Sequence, residues 1–429
     1  METNNQKNDQ NIIPNDADKQ QKGVNVPNLR FPNYNSAWQK NKFGNLLTLL
    51  KNNTLSRAEL NYENGKIKDI HYGDVLIKFN DFVLSDSKII PYINDDRIPH
   101  NYADLLLKTG DLVIADTAED YTVGKATELI FNDQSLIISG LHTIPCRPIN
   151  NNFGSKYLGY YINSPSFHNQ LLPLIQGIKV SSISKSQIVD TFISYPKIDE
   201  QCKITEFLTL IDQRIDTQSK IIEDLELCKK KICYEIFSAK ESYVKPLGSI
   251  ISYGKAGGTP ASTNKSYYNG NIPFLSISDM TEQGKYILKT EKTLSELGLK
   301  NSSAWLVPKN SLILSMYASV GFVSISKVEL ATSQAMFSMI IEDKNLLEYV
   351  YYYLNYFKSF KIHRLLETGT QSNINAEMVK NINIPFFDQT KNLLITQFFN
   401  NFDLKIKKEK DILELYKKQK AYLLKNMFI

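Results

Sequence analysis

The chain has 429 residues, enough for two or three domains with a full core, and a formal net charge of +5, which permits a nucleic-acid partner without requiring one. Its four cysteines (Cys146, Cys202, Cys228, Cys233) form no CxxC pair and its five histidines are scattered, so neither a bound metal nor a disulfide framework is expected. No apolar run approaches the ~20 residues of a membrane span and no signal peptide opens the sequence, so a cytoplasmic protein with no membrane partner is expected.

Residues 1–28 are mostly Asn, Gln, Asp and Lys, with few apolar residues, and read as a disordered polar tail. A globular domain is expected over 29–197, with Trp38 as an early anchor. Short apolar runs predict strands at Val75–Phe79, Lys88–Tyr92, Leu112–Ala115 and Leu136–Ser139, and turn chemistry marks Asn53 to Arg57 and Asn64-Gly65. Helical stretches follow at Tyr157–Asn163 and Ser166–Ile175, then a polar loop over 176–184 and a last strand at Phe192–Tyr195. Asp199 is placed to cap the long helix expected over 198–240.

The second half repeats this plan, with a globular domain over 241–386 and a long helix over 387–429. Pro246-Leu-Gly-Ser-Ile stands where Lys42-Phe-Gly-Asn-Leu does, Leu312-Ile-Leu-Ser where Leu112-Val-Ile-Ala does, and the aromatic stretch Tyr349–Phe357 where Tyr157–Asn163 does. Thr370-Gln-Ser-Asn-Ile-Asn takes the place of Lys179-Val-Ser-Ser-Ile-Ser, and Asp388 that of Asp199. The fold class expected is α+β, two similar globular domains separated by two long antiparallel coiled-coil helices, in a pseudo-two-fold internal repeat.

The helices carry the clearest signal. Ile204 to Phe237 recurs without a gap as Ile395 to Phe428, with identities that include Asp212/Asp403 and Lys229/Lys420. An apolar series spaced about 3.5 residues apart runs through Ile204, Leu208, Ile211, Ile215, Ile222 and Leu225, and its counterpart through Ile395, Phe399, Phe402, Ile406, Leu413. Both series are polar at the same places, Gln218/Glu409 and Lys229/Lys420, which read as register-setting positions. Each helix, at roughly 35 residues, would be about 50 Å long and could act as a ruler between two modules that meet two half-sites on a duplex.

Catalytic signatures are missing together: no phosphate-binding GxxxxGK[ST] or GxGxxG loop, no HExxH, no GxSxG, and no Asn/Asp-Pro-Pro-aromatic tetrapeptide of an adenine-methylating site. Gly254-Lys-Ala-Gly-Gly-Thr-Pro reads either as a turn at a domain entrance or as a DNA-backbone contact. Binding is therefore the better expectation. The candidates are polar and aromatic groups on loops: Arg57, Lys66, His71 and Lys78 around the Asn-Gly turn; Lys179, Ser181 and Ser182 in the late loop; and in the second half Lys255, Lys265, Tyr267, Asn269, Arg364, Thr370, Gln371, Ser372 and Asn373. Lysines and hydroxyls suit phosphates, while Arg, Gln and Asn can pair with base edges. His100, His142, His168 and His363 read as structural.

In this order, and duplicated, the segments Gly257-Gly-Thr-Pro, Tyr267-Tyr-Asn-Gly-Asn-Ile-Pro-Phe-Leu-Ser-Ile-Ser-Asp-Met and Gly369-Thr-Gln-Ser-Asn-Ile-Asn-Ala-Glu-Met resemble the specificity subunit of type I restriction–modification systems. Ser139-Gly-Leu-His-Thr-Ile-Pro-Cys-Arg-Pro and Gly177-Ile-Lys-Val-Ser-Ser-Ile-Ser are the first-half counterparts. The resemblance implies two target recognition domains, each reading one half of a bipartite asymmetric double-stranded DNA target. It implies helices that set the spacing and dock two methylation subunits, through which restriction subunits join. S-adenosylmethionine, ATP and Mg²⁺ would belong to those partners, leaving this chain with no cofactor and no catalytic residue. The competing expectations are a coiled-coil scaffold whose two domains bind ligands other than DNA, and a nuclease with an unrecognised site.

Overall fold

The computed structural model describes residues 25–177, 180–239, 243–366 and 373–429, so nearly all of the tail expected over 1–28 lies outside the described residues. The chain divides into two compact units, one formed by residues 1–217 and 414–429, the other by 218–413. Each unit thus takes in one globular part and a stretch of both long helices.

Among the described residues, the core sheet of the first unit has five strands: β1 (Leu47–Leu49), β2 (Phe82–Leu84), β3 (Leu112–Ala115), β4 (Ala126–Ile130) and β5 (Thr143–Pro148), in the order β1-β5-β3-β4-β2. Neighbours are antiparallel except the parallel pair β2 and β4. Leu112-Val-Ile-Ala is apolar throughout because β3 is central and buried along its length. The sheet packs against helices α1 (Tyr72–Ile77) and α2 (Tyr157–Ile162), the latter wholly buried. A Cβ on Gly159 would lie 2.0 Å from the Asp81 carbonyl oxygen, so only glycine lets α2 come this close. Trp38 is the anchor its sequence position suggested: it meets Tyr157 and Phe428 edge-on and its indole N–H donates to Glu200 Oε1 at 3.3 Å. An outer pair, Gln39–Lys42 with Phe192–Tyr195, leads into α3 (Ile198–Ser238).

The second unit repeats the sheet. Strands β6 (Tyr253–Ala256), β7 (Tyr286–Ile287), β8 (Leu312–Ser315), β9 (Val323–Ser326) and β10 (Met336–Ile340) lie in the order β6-β10-β8-β9-β7, again with only the last pair parallel. Its outer pair is Tyr243–Pro246 with Asn383–Phe386. Helix α4 (Lys344–Phe360) is started by Asp343, whose carboxylate accepts the Asn345 and Leu346 amides. It corresponds to α2 but runs on for 17 residues, whereas in the first unit Pro165 stops the helix and opens a new one, Pro165–Leu171. Helix α5 (Gln389–Asn426) closes the chain.

The strands expected at Leu112–Ala115, Leu136–Ser139 and Phe192–Tyr195 form as read. Three other expectations fail. Val75–Phe79 is not a strand but overlaps α1, because the His71 ring accepts the Gly73 amide at 3.1 Å and starts a helix, and a short apolar run does not distinguish the two. Lys88–Tyr92 contributes only Tyr92, paired within Tyr92–Ile93, since Pro91 has no amide to give a ladder. Asp199 does not cap α3; the helix begins at Ile198, so Asp199 and Glu200 sit in its first turn, where their charge still favours the helix dipole. Asp388 does cap α5, accepting the Lys391 amide at 2.9 Å.

Candidate nucleic-acid interface and its helix pair

The two long helices run antiparallel where they meet. In the second unit Gln218 faces Glu409, Glu226 faces Lys410 and Lys229 faces Asp403, so rising numbers on α3 meet falling numbers on α5. The seam read from the spacing is the buried one. Ile204, Leu208 and Ile211 join the first unit's core with Leu423 and Met427. Ile395 and Phe399 join the second unit's core with Phe237. Ile222 and Ile406 are buried, and Ile215, Leu225, Phe402 and Leu413 are half-buried.

The polar breaks in the seam have partners. Gln218 Nε2 donates to Glu409 Oε2 at 2.5 Å and to the Glu409 carbonyl oxygen at 3.1 Å. These two residues occupy the same position of the repeat, so the duplicated position meets its own counterpart. The other break is answered by the duplicated aspartates. In the first unit Lys420 Nζ lies 2.5 Å from Asp212 Oδ1 and 2.6 Å from Asp81 Oδ2, and Tyr160 Oη donates to Asp212 Oδ2 at 2.6 Å. In the second unit Lys229 pairs with Asp403, to which Tyr352 Oη donates at 2.6 Å. One tyrosine–aspartate–lysine arrangement is thus built twice, fastening each sheet's buried helix, α2 or α4, to both long helices. Burial and then the Asp212 charge push the Tyr160 hydroxyl far up, so it remains a donor at neutral pH. Sequence reading took Lys229 and Lys420 for register alone; the signal for the rest was the pair of identities Asp212/Asp403, which the antiparallel helices bring within reach of those lysines, about one turn beyond the positions directly opposite.

The loop residues fall into three groups. Arg57 and Lys78 share one buried carboxylate: Arg57 forks onto Asp74 at 2.7 and 2.8 Å, and Lys78 reaches it at 3.1 Å. Burial alone would raise the Asp74 carboxyl, but hydrogen bonds from Arg57 and Lys78 outweigh it and hold the group below its ordinary range. Lys78 also stacks over Tyr62, and Lys66 over Tyr102. His71 is buried as a helix cap, and burial, then the Arg57 charge, push its imidazole down to about 4, so it is neutral at physiological pH. Next to it, Tyr72 meets the His142 ring, with centroids 5.3 Å apart. Ser181 and Ser182 form a short strand against Thr117–Ala118.

In the second unit Lys255 is exposed on the edge strand β6, Lys265 and Asn269 are exposed, and Tyr267 is half-buried. Asn269 holds a left-handed backbone with φ of 59°. Asn373 is exposed beside buried Ile374. Lys179, Thr370, Gln371, Ser372 and the Arg364 side chain lie outside the described residues. The Gly257-Gly258 pair follows β6, where a Cβ on Gly257 would lie 2.0 Å from the Thr332 carbonyl oxygen.

Beneath the Arg57 patch lies Asp69. Its Oδ2 accepts from Asn53 Nδ2 at 2.5 Å, while Oδ1 is buried without a hydrogen-bond partner. Burial pushes its carboxyl up to about 7, against an opposing hydrogen bond from Asn53. A folded pKa above the unfolded value means that the protonated acid stabilises the fold. That contribution is whole below about 3.8 and fades as pH rises to about 7. The Asp69→Asn variant, neutral throughout, should therefore gain on the wild type as pH rises through this window, by roughly 2–4 kcal/mol at pH 8. Denaturant unfolding at pH 5 and pH 8 reads this directly; parallel stability curves for the two proteins would contradict it.

Among the described residues no three His, Cys, Asp or Glu side chains are grouped to hold a metal ion, and no helix is long and apolar enough to cross a membrane. What the fold presents is a duplicated α+β protein, its two sheets alike in strand order and each tied to the same two helices. That organisation matches a known family: the model of the type I restriction modification DNA specificity domain fits residues 35–227 and again 239–416, and the chain belongs to that family. It is similar to the type I restriction enzyme MjaIX specificity subunit of Methanocaldococcus jannaschii, 28% identical over 191 residues, 43% of each chain. It is also similar to the EcoR124I/EcoR124II specificity subunit of Escherichia coli, 26% identical over 46% of this chain and 51% of that one. The matched part thus spans about half or less of these curated relatives. Its fold is shared with a solved S subunit of a type I restriction-modification system from M. genitalium, with a TM-score of 0.52 and 14% identity over 94% of this chain and 99% of that one.

Proposed function

We propose that the chain is the DNA-specificity subunit of a cytoplasmic type I restriction–modification complex. Each globular unit reads one half of a bipartite, asymmetric duplex target. The paired helices fix the spacing between the halves and dock two methylation subunits, through which restriction subunits join. S-adenosylmethionine, ATP and Mg²⁺ are assigned to those partners, and this chain supplies sequence choice and no catalytic group. The observation that carries the reading is the duplication: two family-matched segments with one sheet order, each running into a long helix whose seam partner is the other helix.

The Arg57–Asp74–Lys78 cluster supports a DNA-facing role of a particular kind. Its two cations share one carboxylate, which leaves one surplus positive charge at an exposed position. The Arg57 fork is already spent on Asp74, so it is not free to grip a guanine edge and suits a phosphate instead. Binding to duplex DNA should fall steeply with salt, and the paired substitutions Arg57→Gln and Lys78→Gln should lower the slope of log affinity against log salt by about 1 without altering sequence preference. Gel-shift titration across a salt series tests both. An interaction with duplex DNA that is absent or insensitive to salt would instead favour a scaffold whose domains bind other ligands.

A further inference from the structure

Each unit carries a polar edge at one end of its core sheet; in the first unit this edge adjoins the Arg57 cluster, where His142 meets Tyr72. The residue that follows the central strand, Asp116 after β3 and Met316 after β8, is held in both units by the same two backbone bonds. The Asp116 amide donates to the His142 carbonyl oxygen at 3.1 Å, and its own carbonyl oxygen accepts the Ile183 amide at 2.9 Å. The Met316 amide donates to the Ala335 carbonyl oxygen at 2.7 Å, and its carbonyl oxygen accepts the Ile374 amide at 3.1 Å. Three stretches therefore meet at one end of each sheet: the loop leaving the central strand, the turn entering the neighbouring strand β5 or β10, and the described residue that closes the late loop, Ile183 or Ile374.

The frame is the same in both units, but the side chains that it presents are not. The first unit exposes His142 and Ser182, and Tyr121, 76% accessible, further along the loop that leaves the central strand. The second exposes Tyr317, Gln334 and Asn373. The second loop is also set in an unusual backbone. Ala318 and Ser319 are consecutive non-glycine residues with φ of 40° and 43°, held by Ser315 Oγ donating to the Ser319 carbonyl oxygen at 2.7 Å. Strain of this kind persists only where the surroundings over-determine it. Exposed aromatic, amide and imidazole groups on a rigid frame can stack on bases or pair with their edges.

We infer that these three-loop ends are the base-reading heads, with Tyr121 and His142 determining specificity in the first unit and Tyr317 and Gln334 in the second. An identical frame with different side chains is what two readers of different half-sites require. The inference rests on the DNA-specificity reading above and adds which residues carry it.

The test is selection from a random duplex library by the full-length chain, wild type against two variants, Tyr121→Ala/His142→Ala and Tyr317→Ala/Gln334→Ala. All four side chains are exposed, so folding should survive, and Tyr317→Phe provides a milder probe that removes only the hydroxyl. Wild type should select a two-part sequence. Each double variant should keep one part and lose discrimination at the other by tenfold or more, the two variants losing opposite parts. If wild type selects two parts and the variants select the same two with preferences within twofold, the reading heads lie elsewhere. Loss of all binding by a variant at salt where wild type binds would also overturn the inference, since the other unit's readout should survive. If wild type selects no sequence at all, the specificity function itself falls, and this assignment with it.

Discussion

Replacing Lys420 with methionine should cost the first unit about 3–5 kcal/mol, because it takes the shared cation from two buried carboxylates, while Lys125, the other cation near Asp81, gives its ammonium to the Leu76 carbonyl oxygen at 2.9 Å. The side chains of Lys420, Asp81 and Asp212 are only 18%, 8% and 10% accessible. The equivalent change in the second unit, Lys229→Met, should cost much less, about 1 kcal/mol. There the pair is more exposed, at 27% and 29%, and a second buried cation is at hand. Lys285 Nζ lies 2.8 Å from the hydroxyl of Tyr352, the tyrosine that donates to Asp403, and it also pairs with Glu348. Chemical denaturation of the two variants, and of Lys420→Met combined with Asp212→Asn, reads the difference. The double variant should recover part of the loss, since it removes one of the stranded charges. Equal losses for Lys420→Met and Lys229→Met, or a double variant that loses the sum of the singles, would show that the arrangement is not the coupled buried network described.

The second large effect concerns what is read rather than what is stable. Exchanging residues 29–195 for the matching segment of a relative with a different target should replace one half of the recognised sequence and leave the other half and the gap between them unchanged. A mismatched base pair costs roughly 1–3 kcal/mol, so a half-site of three or four pairs should change preference by at least about a hundredfold. The exchange is feasible because its ends fall at the outer strand pair of Gln39–Lys42 with Phe192–Tyr195, so that nearly all of the sheet travels together while the helix seam stays whole.

Much of the architecture was legible before the structure was known. The helix seam was readable because burial against a parallel or antiparallel partner demands a regular 3.5-residue spacing, and Ile204, Leu208, Phe399 and their neighbours keep it. The central strands were readable because a strand covered on both faces is nearly continuously apolar: Leu112-Val-Ile-Ala is apolar throughout, and Leu312-Ile-Leu-Ser is apolar up to its buried last residue, Ser315. Val75–Phe79 was misread because its length suits either a strand or a helical turn, and the deciding contact, His71 to Gly73, is not a matter of periodicity. The Tyr–Asp–Lys arrangements were half visible as identities, but Tyr160 and Tyr352 lie far from the helices in sequence and only the fold brings them together. Tyr121 and Tyr317 were missed because a loop has no period to betray it, and their common frame is made of backbone bonds that no side-chain pattern records.

The central claim is that two units of one chain choose two halves of one DNA sequence. Mapping methylated bases across the genome of cells with the wild-type chain, without it, and with residues 29–195 exchanged tests this most directly. The account predicts methylation at a single two-part sequence that disappears without the chain, and that keeps one part and its spacing when the segment is exchanged. Methylation that persists in its absence, or an exchange that alters both parts together, would contradict it.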